Sequence, residues 1–193
     1  MLLNSINKGV ATGVLREEHE AILKVMGFFD KALDRLEATK PVPLDFLEGI
    51  VEFFSLFADR CHHTKEEEVL FPMMESFGIP RENGPIGVML NEHTLGRDYV
   101  RQIGEGVARL QSGDNSGNAL LITAGTSYSR LLREHILKEN QVLFMLADNV
   151  LDATIQAKAL AQFEKLEVEK MGEGTHERLH ARIDIMEQQA SNW

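Results

Sequence analysis

Apolar residues recur along this chain at steps of three and four in long blocks, the period of an amphipathic helix. Strand-like alternation and tight hairpin turns are scarce. The first block spans about Val14 to Leu36, with Leu15, Ile22, Met26, Phe29 and Leu33 on one face. Pro41 and Pro43 stop it and help start a second block, about Leu44 to Glu75, whose inward series includes Leu47, Ile50, Phe54, Phe57, Leu70 and Met74. Pro72 is expected to bend that helix near its end. After the breaker-rich SFGIPRENGP, a third block runs from about Ile86 to Leu110, with Met89, Ile103 and Val107 inward. A fourth runs from about Asn118 to Val150, with Leu121, Ala124, Tyr128, Leu131, Val142 and Met145 inward. A fifth, more charged stretch from about Asp152 to Gln188 is interrupted near Gly172 and Gly174. The pattern predicts an all-α fold. Residues 1–150 form an up-and-down antiparallel four-helix bundle, and residues 151–193 add a C-terminal helix packed on it.

Polar residues break these apolar faces in a regular way. One histidine falls in the middle of each of the four helices: His19, His62 or His63, His93 and His135. His19 continues the face of Leu15, Ile22 and Met26. His93 lies four after Met89, and His135 lies seven after Tyr128. In CHHTKEEEVLFP (61–72), the series Leu56–His63–Glu67–Leu70–Met74 places His63 and Glu67 inward at i and i+4. On an ideal helix His62 and Glu66 are turned about 100° away. His135 and Glu139 repeat the i, i+4 pair, which puts both side chains on one face.

Four histidines and two carboxylates buried in one layer without partners would be very costly. Two like carboxylates in an apolar core would also repel. Bound cations remove both problems, and imidazole with carboxylate suits iron, manganese or zinc. Inward i, i+3 or i, i+4 pairs from facing helices are how di-metal carboxylate sites are built in bundles. His176 and His180 are also at i, i+4, but stand alone in a charged stretch and are expected at the surface. Cys61 is expected to be a packed thiol.

Composition narrows the class without changing this picture. The 193 residues are enough for one domain with a real core, and the formal charge of −10 argues against nucleic acid or anionic membrane as partners. A single cysteine cannot form an intrachain disulfide, which fits a reducing compartment and a cytoplasmic protein. The start MLLNSINKGVATG has no long apolar core and is read as no signal peptide. No apolar run is long enough to span a bilayer.

The elements REEHE, HHTKEEEVLFP, GPIGVMLNEH and LLREHILKENQVLF resemble the hemerythrin-type HHE cation-binding domain, over about Val14 to Val150. The resemblance implies a four-helix bundle around two non-heme iron ions with an oxo or hydroxo bridge, zinc or manganese being possible substitutes. It implies the ligands His19, His63, Glu67, His93, His135 and Glu139, with Glu67 and Glu139 bridging. The oxygen carriers of that family have HxxxH on the third helix, whereas this chain has Arg97 four after His93. They have HxxxxD on the fourth, whereas position 140 is Asn140 and Glu139 takes the carboxylate role one step earlier. The four-His, two-Glu set looks like the branch associated with iron-centre repair under nitric oxide stress and with iron sensing. An exchangeable position for dioxygen, nitric oxide or peroxide is then expected. Tyr128, two turns before His135, is a candidate to line the pocket and hydrogen-bond the bridge or a bound ligand. Sensor, enzyme (nitric oxide or peroxide reduction, iron donation), oxygen carrier, iron store and structural bundle all stay open, and no protein partner is visible.

Overall fold

The computed structural model describes residues 10–172 and 174–193, without the side chains of Met171, His176 and Glu177. The readings of the first residues and of His176 lie outside the described residues. Among the described residues there is no strand, and no helix is long and apolar enough to cross a membrane.

Four long helices make the bundle. α1 is Ala11–Glu37. α2 is continuous over residues 44–76 but changes its winding. It is α-helical over Leu44–Phe53, π-helical over Phe54–His63 and again over Glu66–Leu70, and α-helical over Phe71–Ser76. α3 is Pro85–Gln111, with Pro85 in its first turn, where a missing N–H costs nothing. α4 spans residues 116–150, with a π-helical turn over Glu139–Leu143. Cross-helix pairs give the direction. Asp30 meets Ser129 and His19 meets Asn140, so α1 and α4 run antiparallel. Gln111 bonds Glu48 at one end while Glu67 meets His93 further along, so α2 and α3 do too. α3 and α4 approach closely at Gly117, where a Cβ would stand 2.4 Å from the Gly106 carbonyl oxygen.

The C-terminal stretch is a helical hairpin rather than one helix. α5 is Ala153–Met171, begun by the Asp152 carboxylate accepting from the N–H groups of Thr154 and Ile155. α6 is Thr175–Ser191. The break falls at Gly172 and Gly174, both at positive φ (81° and 76°), which an L side chain rarely adopts. Leu179, Ile183 and Met186 pack with Phe46 and Phe53, while Ala159, Phe163 and Leu166 pack with Leu15, Leu70 and Phe144.

These contacts define two apolar cores, one toward each end of the bundle. Along α1 the order is Leu15 in the second core, His19, then Ile22 in the first. Along α2 it is Ala58, then His62 and His63, then Val69; along α4 it is Leu132, His135, then Leu143. The histidines therefore form a polar layer held between two apolar ones.

Candidate metal centre

The register of α2 decides which side chains enter that layer. Phe54, Ala58, His62, Glu66, Leu70 and Met74 are spaced by four, and each is at most 1 % exposed. On an α-helix every step of four overshoots a full turn by ~40°, so five steps would carry Met74 to the side opposite Phe54. The π turns absorb that drift. The N–H of Thr64 bonds the Asp59 carbonyl and the N–H of Phe71 bonds the Glu66 carbonyl, each five residues back. Pro72 contributes locally, because it has no N–H to offer the preceding turn. The same thing happens on α4. Phe144 N–H bonds the Glu139 carbonyl, and His135, Glu139, Leu143 and Ala147, again four apart, are all buried.

Two expectations are corrected by this winding. Glu66 is fully buried in the polar layer with His62, where an ideal helix turned both away. Glu67, placed inward by the ideal phase, lies outside the layer, with its side chain 24 % exposed and paired to Arg97. Val142 and Met145 are likewise exposed, and Leu143 and Phe144, which lie between them, take the core positions. His19, His63, His93, His135 and Glu139 are buried in the layer as expected.

Seven side chains converge. Glu139 Oε2 lies 3.2 Å from His19 Nε2, and its Oε1 lies 3.2 Å from His135 Nε2 and 3.8 Å from His93 Nε2. Glu66 Oε1 is 3.6 Å from His62 Nε2, and Oε2 is 3.4 Å from His93 Nε2. The His63 ring stacks on His93 at 3.8 Å. The potential donor atoms fall into two groups, each within 4.8 Å: His19, His62, Glu66 and Glu139; and His63, Glu66, His93 and His135. Glu66 belongs to both, and Glu139 reaches histidines of both.

An outer ring of acceptors aims the imidazoles. The Nδ1 atoms of His19, His62, His63, His93 and His135 meet Asn140 Oδ1 (3.0 Å), Glu18 Oε2 (2.9 Å), Asp59 Oδ1 (3.3 Å), Glu67 Oε1 (2.6 Å) and Glu92 Oε2 (2.9 Å). An acceptor at Nδ1 keeps the proton there and leaves the Nε2 lone pair pointing inward. Cations steady the acceptors in turn. Lys65 pairs with Glu18, Arg97 with both Asp59 and Glu67, and Lys138 with Glu92.

The layer asks for positive charge. Both oxygens of Glu66 and of Glu139, and Nε2 of His19 and His62, are buried without a hydrogen bond, an expensive state for polar atoms. Burial works against a charged His93, yet the nearby carboxylates of Glu139, Glu66 and Glu67 push its ring up to about 11. Burial works against His135 too, but Glu139 and Glu92 push it up to about 9. His63 goes the other way, held well below the usual imidazole range by burial and by its neighbouring histidines. Protons on some rings thus do in part what metal cations do better. Five inward imidazoles and two shared carboxylates without partners are a donor set that fits two iron, manganese or zinc ions.

Tyr128 is buried, packs edge-on against Phe54 at 4.9 Å, and lines a cavity of about 260 Å³ with His63, Gly96 and Arg97. It also borders a void of about 10 Å³ beside His93 and His135. A third cluster, Glu18, Cys61 and Glu167, lies behind His62, and there the cation is Lys65. Burial, with Glu18 and Glu167 nearby, pushes the Cys61 thiol up to about 12 and keeps it neutral.

Comparison with known proteins agrees with this geometry. Residues 10–147 match the hemerythrin HHE cation-binding domain model. Iron-sulfur cluster repair protein YtfE of Yersinia pestis (strain Pestoides F) is 37% identical over 133 residues, covering 66% of this chain and 58% of that protein. The uncharacterized protein Rv1995 of Mycobacterium tuberculosis (strain ATCC 25618 / H37Rv) is 22% identical over 159 residues, covering 82% of this chain and 62% of that protein. The chain thus spans about three fifths of the length of these relatives. No solved structure matches.

Proposed function

The chain belongs to the hemerythrin HHE cation-binding family, and from that premise we propose that it holds two iron ions and uses them to react with dioxygen, nitric oxide or peroxide. The observation that carries this reading is the pair of donor groups sharing Glu66. His19 and His62 would serve one ion. His63, His93 and His135 would serve the other, with Glu66 and Glu139 between them. His63 supplies the fifth imidazole of a chain that has Arg97 where the family's oxygen carriers have a second third-helix histidine. When bound, the iron pair supplies redox chemistry and a Lewis-acid position for a small ligand.

The division of donors favours reaction over storage. With both carboxylates shared, the His19–His62 side has four protein donors and the other has five, so the first is the side with room for an exchangeable ligand. Apolar rings border the layer on both sides: Phe144 stacks on His19 at 5.4 Å, and Phe71 lies parallel to His93 at 6.0 Å. The cavity lined by Tyr128, His63 and Arg97 lies against the other, three-histidine side, on the α2–α3 face, and would bring a small molecule to the layer from there. Tyr128, which lines that cavity, would donate a hydrogen bond to an oxygen-bearing ligand there. YtfE's name as an iron-sulfur cluster repair protein supports a role in iron-centre stress, with the cytoplasm as the place for it.

The test is direct. Protein made with ample iron should carry two irons per chain and show an oxo-to-iron charge-transfer band. The anaerobic reduced protein should change its spectrum with nitric oxide and with dioxygen, and pumping off oxygen should not restore the reduced state. One iron per chain at full occupancy, or a spectrum indifferent to both gases, refutes the reading.

A further inference from the structure

Lys65 is 1 % exposed, and lysine is almost never fully buried unless paired. Its ammonium lies 2.5 Å from Glu18 Oε1 and 2.7 Å from Glu167 Oε2. The other oxygen of Glu18 takes the Nδ1 proton of His62 at 2.9 Å. Glu167 belongs to α5 and lies outside residues 10–147, the stretch the family model covers. A continuous path therefore runs from the C-terminal hairpin to the metal centre: Glu167 on α5, Lys65 on α2, Glu18 on α1 and His62 on α2. Every step is a contact between charged or hydrogen-bonding atoms; Lys65, Glu18 and His62 are buried, and the Glu167 side chain is 28 % exposed.

We propose that Glu167 is a positioning residue of the metal centre, acting through Lys65 and Glu18 on His62, so that α5 is a working part of the site rather than a brace on its outside. This rests on His62 being a metal ligand, as read above. Lys65 divides its charge between two carboxylates. With Glu167 present, Glu18 keeps enough negative charge to be a strong acceptor for His62, which orients the ring and raises its basicity toward the ion. With Glu167 neutralised, the ammonium bears on Glu18 alone. Glu18 then becomes a weaker acceptor, and His62 a poorer and looser ligand. The effect is one-sided: the path ends on the His19–His62 ion, while His63, His93 and His135 are held by Asp59, Glu67 and Glu92. In the Glu18, Cys61 and Glu167 cluster Lys65 already provides the cation.

Full-length protein loaded anaerobically with two ferrous equivalents is mixed with excess ferrous chelator, and iron release is followed by absorbance. Glu167→Gln should quicken one of two release phases by about tenfold, the low end for loss of an outer-shell partner, and leave the other phase unchanged. Glu164→Gln, an exposed change on the same helix, should alter neither. In a Glu18→Gln background, Glu167→Gln should add nothing, because the path is already cut. Equal quickening of both phases with a lowered melting temperature means that Glu167 only fastens α5, and overturns the proposal. So do unchanged phases, or effects of the two changes that multiply. Wild-type protein that retains fewer than two irons defeats the dinuclear reading and this inference with it. Wild-type protein with two irons and an unaltered Glu167→Gln defeats this inference alone.

Discussion

Replacing Glu66 with alanine, and separately Glu67 with alanine, sets two adjacent carboxylates against each other in the same assay. Glu66 is fully buried, both its oxygens lack hydrogen bonds, and it lies in both donor groups. Glu67 accepts from His93 Nδ1 at 2.6 Å and pairs with Arg97 at 2.7 Å, but contributes to neither group. If a structural ion is worth ~10–16 kcal/mol over about four ligands, one ligand is worth ~2.5–4 kcal/mol per ion. On the two-iron reading Glu66 serves both ions, so its loss should cost ~5–8 kcal/mol of binding for the pair, or about four to six orders of magnitude in affinity. Loss of an outer acceptor such as Glu67 costs roughly 10–100-fold. The assay is iron per chain after exhaustive dialysis, followed by titration against a chelator of known affinity. Glu66→Ala should emerge with little or no iron. Glu67→Ala should keep most of its iron and lose it to a chelator tenfold or more weaker than the wild type requires. If Glu67→Ala is empty and Glu66→Ala is full, the π-helical register of α2 is wrong by one residue.

Other outcomes follow from the same geometry. His62→Ala and His63→Ala should each retain one of the two ions, because each ring belongs to a different donor group; an unchanged iron count in either variant would remove that ring from the site. Arg97→Ala leaves Asp59 and Glu67 without their shared cation, so chelator titration should show about tenfold weaker retention on the three-histidine side, and unaltered retention would show that Arg97 only closes the surface. Phe144→Ala empties a fully buried position stacked on His19 and should lower stability by ~3–5 kcal/mol in denaturant unfolding. In the metal-free protein His93 is raised to about 11 and His135 to about 9. Both lie above the unfolded value of about 6.5. Their stabilisation is complete below that value and is lost as pH rises through about 9 and then 11. Iron must displace those protons, so its apparent affinity should rise with pH over the same window. Melting of metal-free protein and iron titration across pH should slope in opposite directions, and parallel slopes would contradict the charge state of the layer.

The sequence by itself determined the helical bundle, its breaks and the chemistry at its centre. Apolar spacing is a local property that survives into the structure wherever the helix is regular. His19, with Leu15, Ile22 and Met26, is buried as its phase on α1 requires, and His93 on α3 likewise. The glycine break before α6 is equally local, since positive φ at Gly172 and Gly174 needs no tertiary partner to be disfavoured for other residues. The winding of α2 and α4 was decided by packing. Putting His62, His63 and Glu66 together on one helix requires turns wider than 3.6 residues, which extrapolation from Leu56 cannot supply. A signal was present in the four-residue run Phe54, Ala58, His62, Glu66, Leu70, Met74, too long to stay on one face of an α-helix. Apart from Asp59, four residues before His63 on the same helix, the outer ring was beyond local reading. Glu18 meets His62 across 44 residues, Glu92 meets His135 across 43, and Glu167 reaches Lys65 from a helix outside the bundle. Which carboxylate orients an imidazole and which faces the metal depends on distances between helices, and those are fixed only when the two apolar cores close around the polar layer.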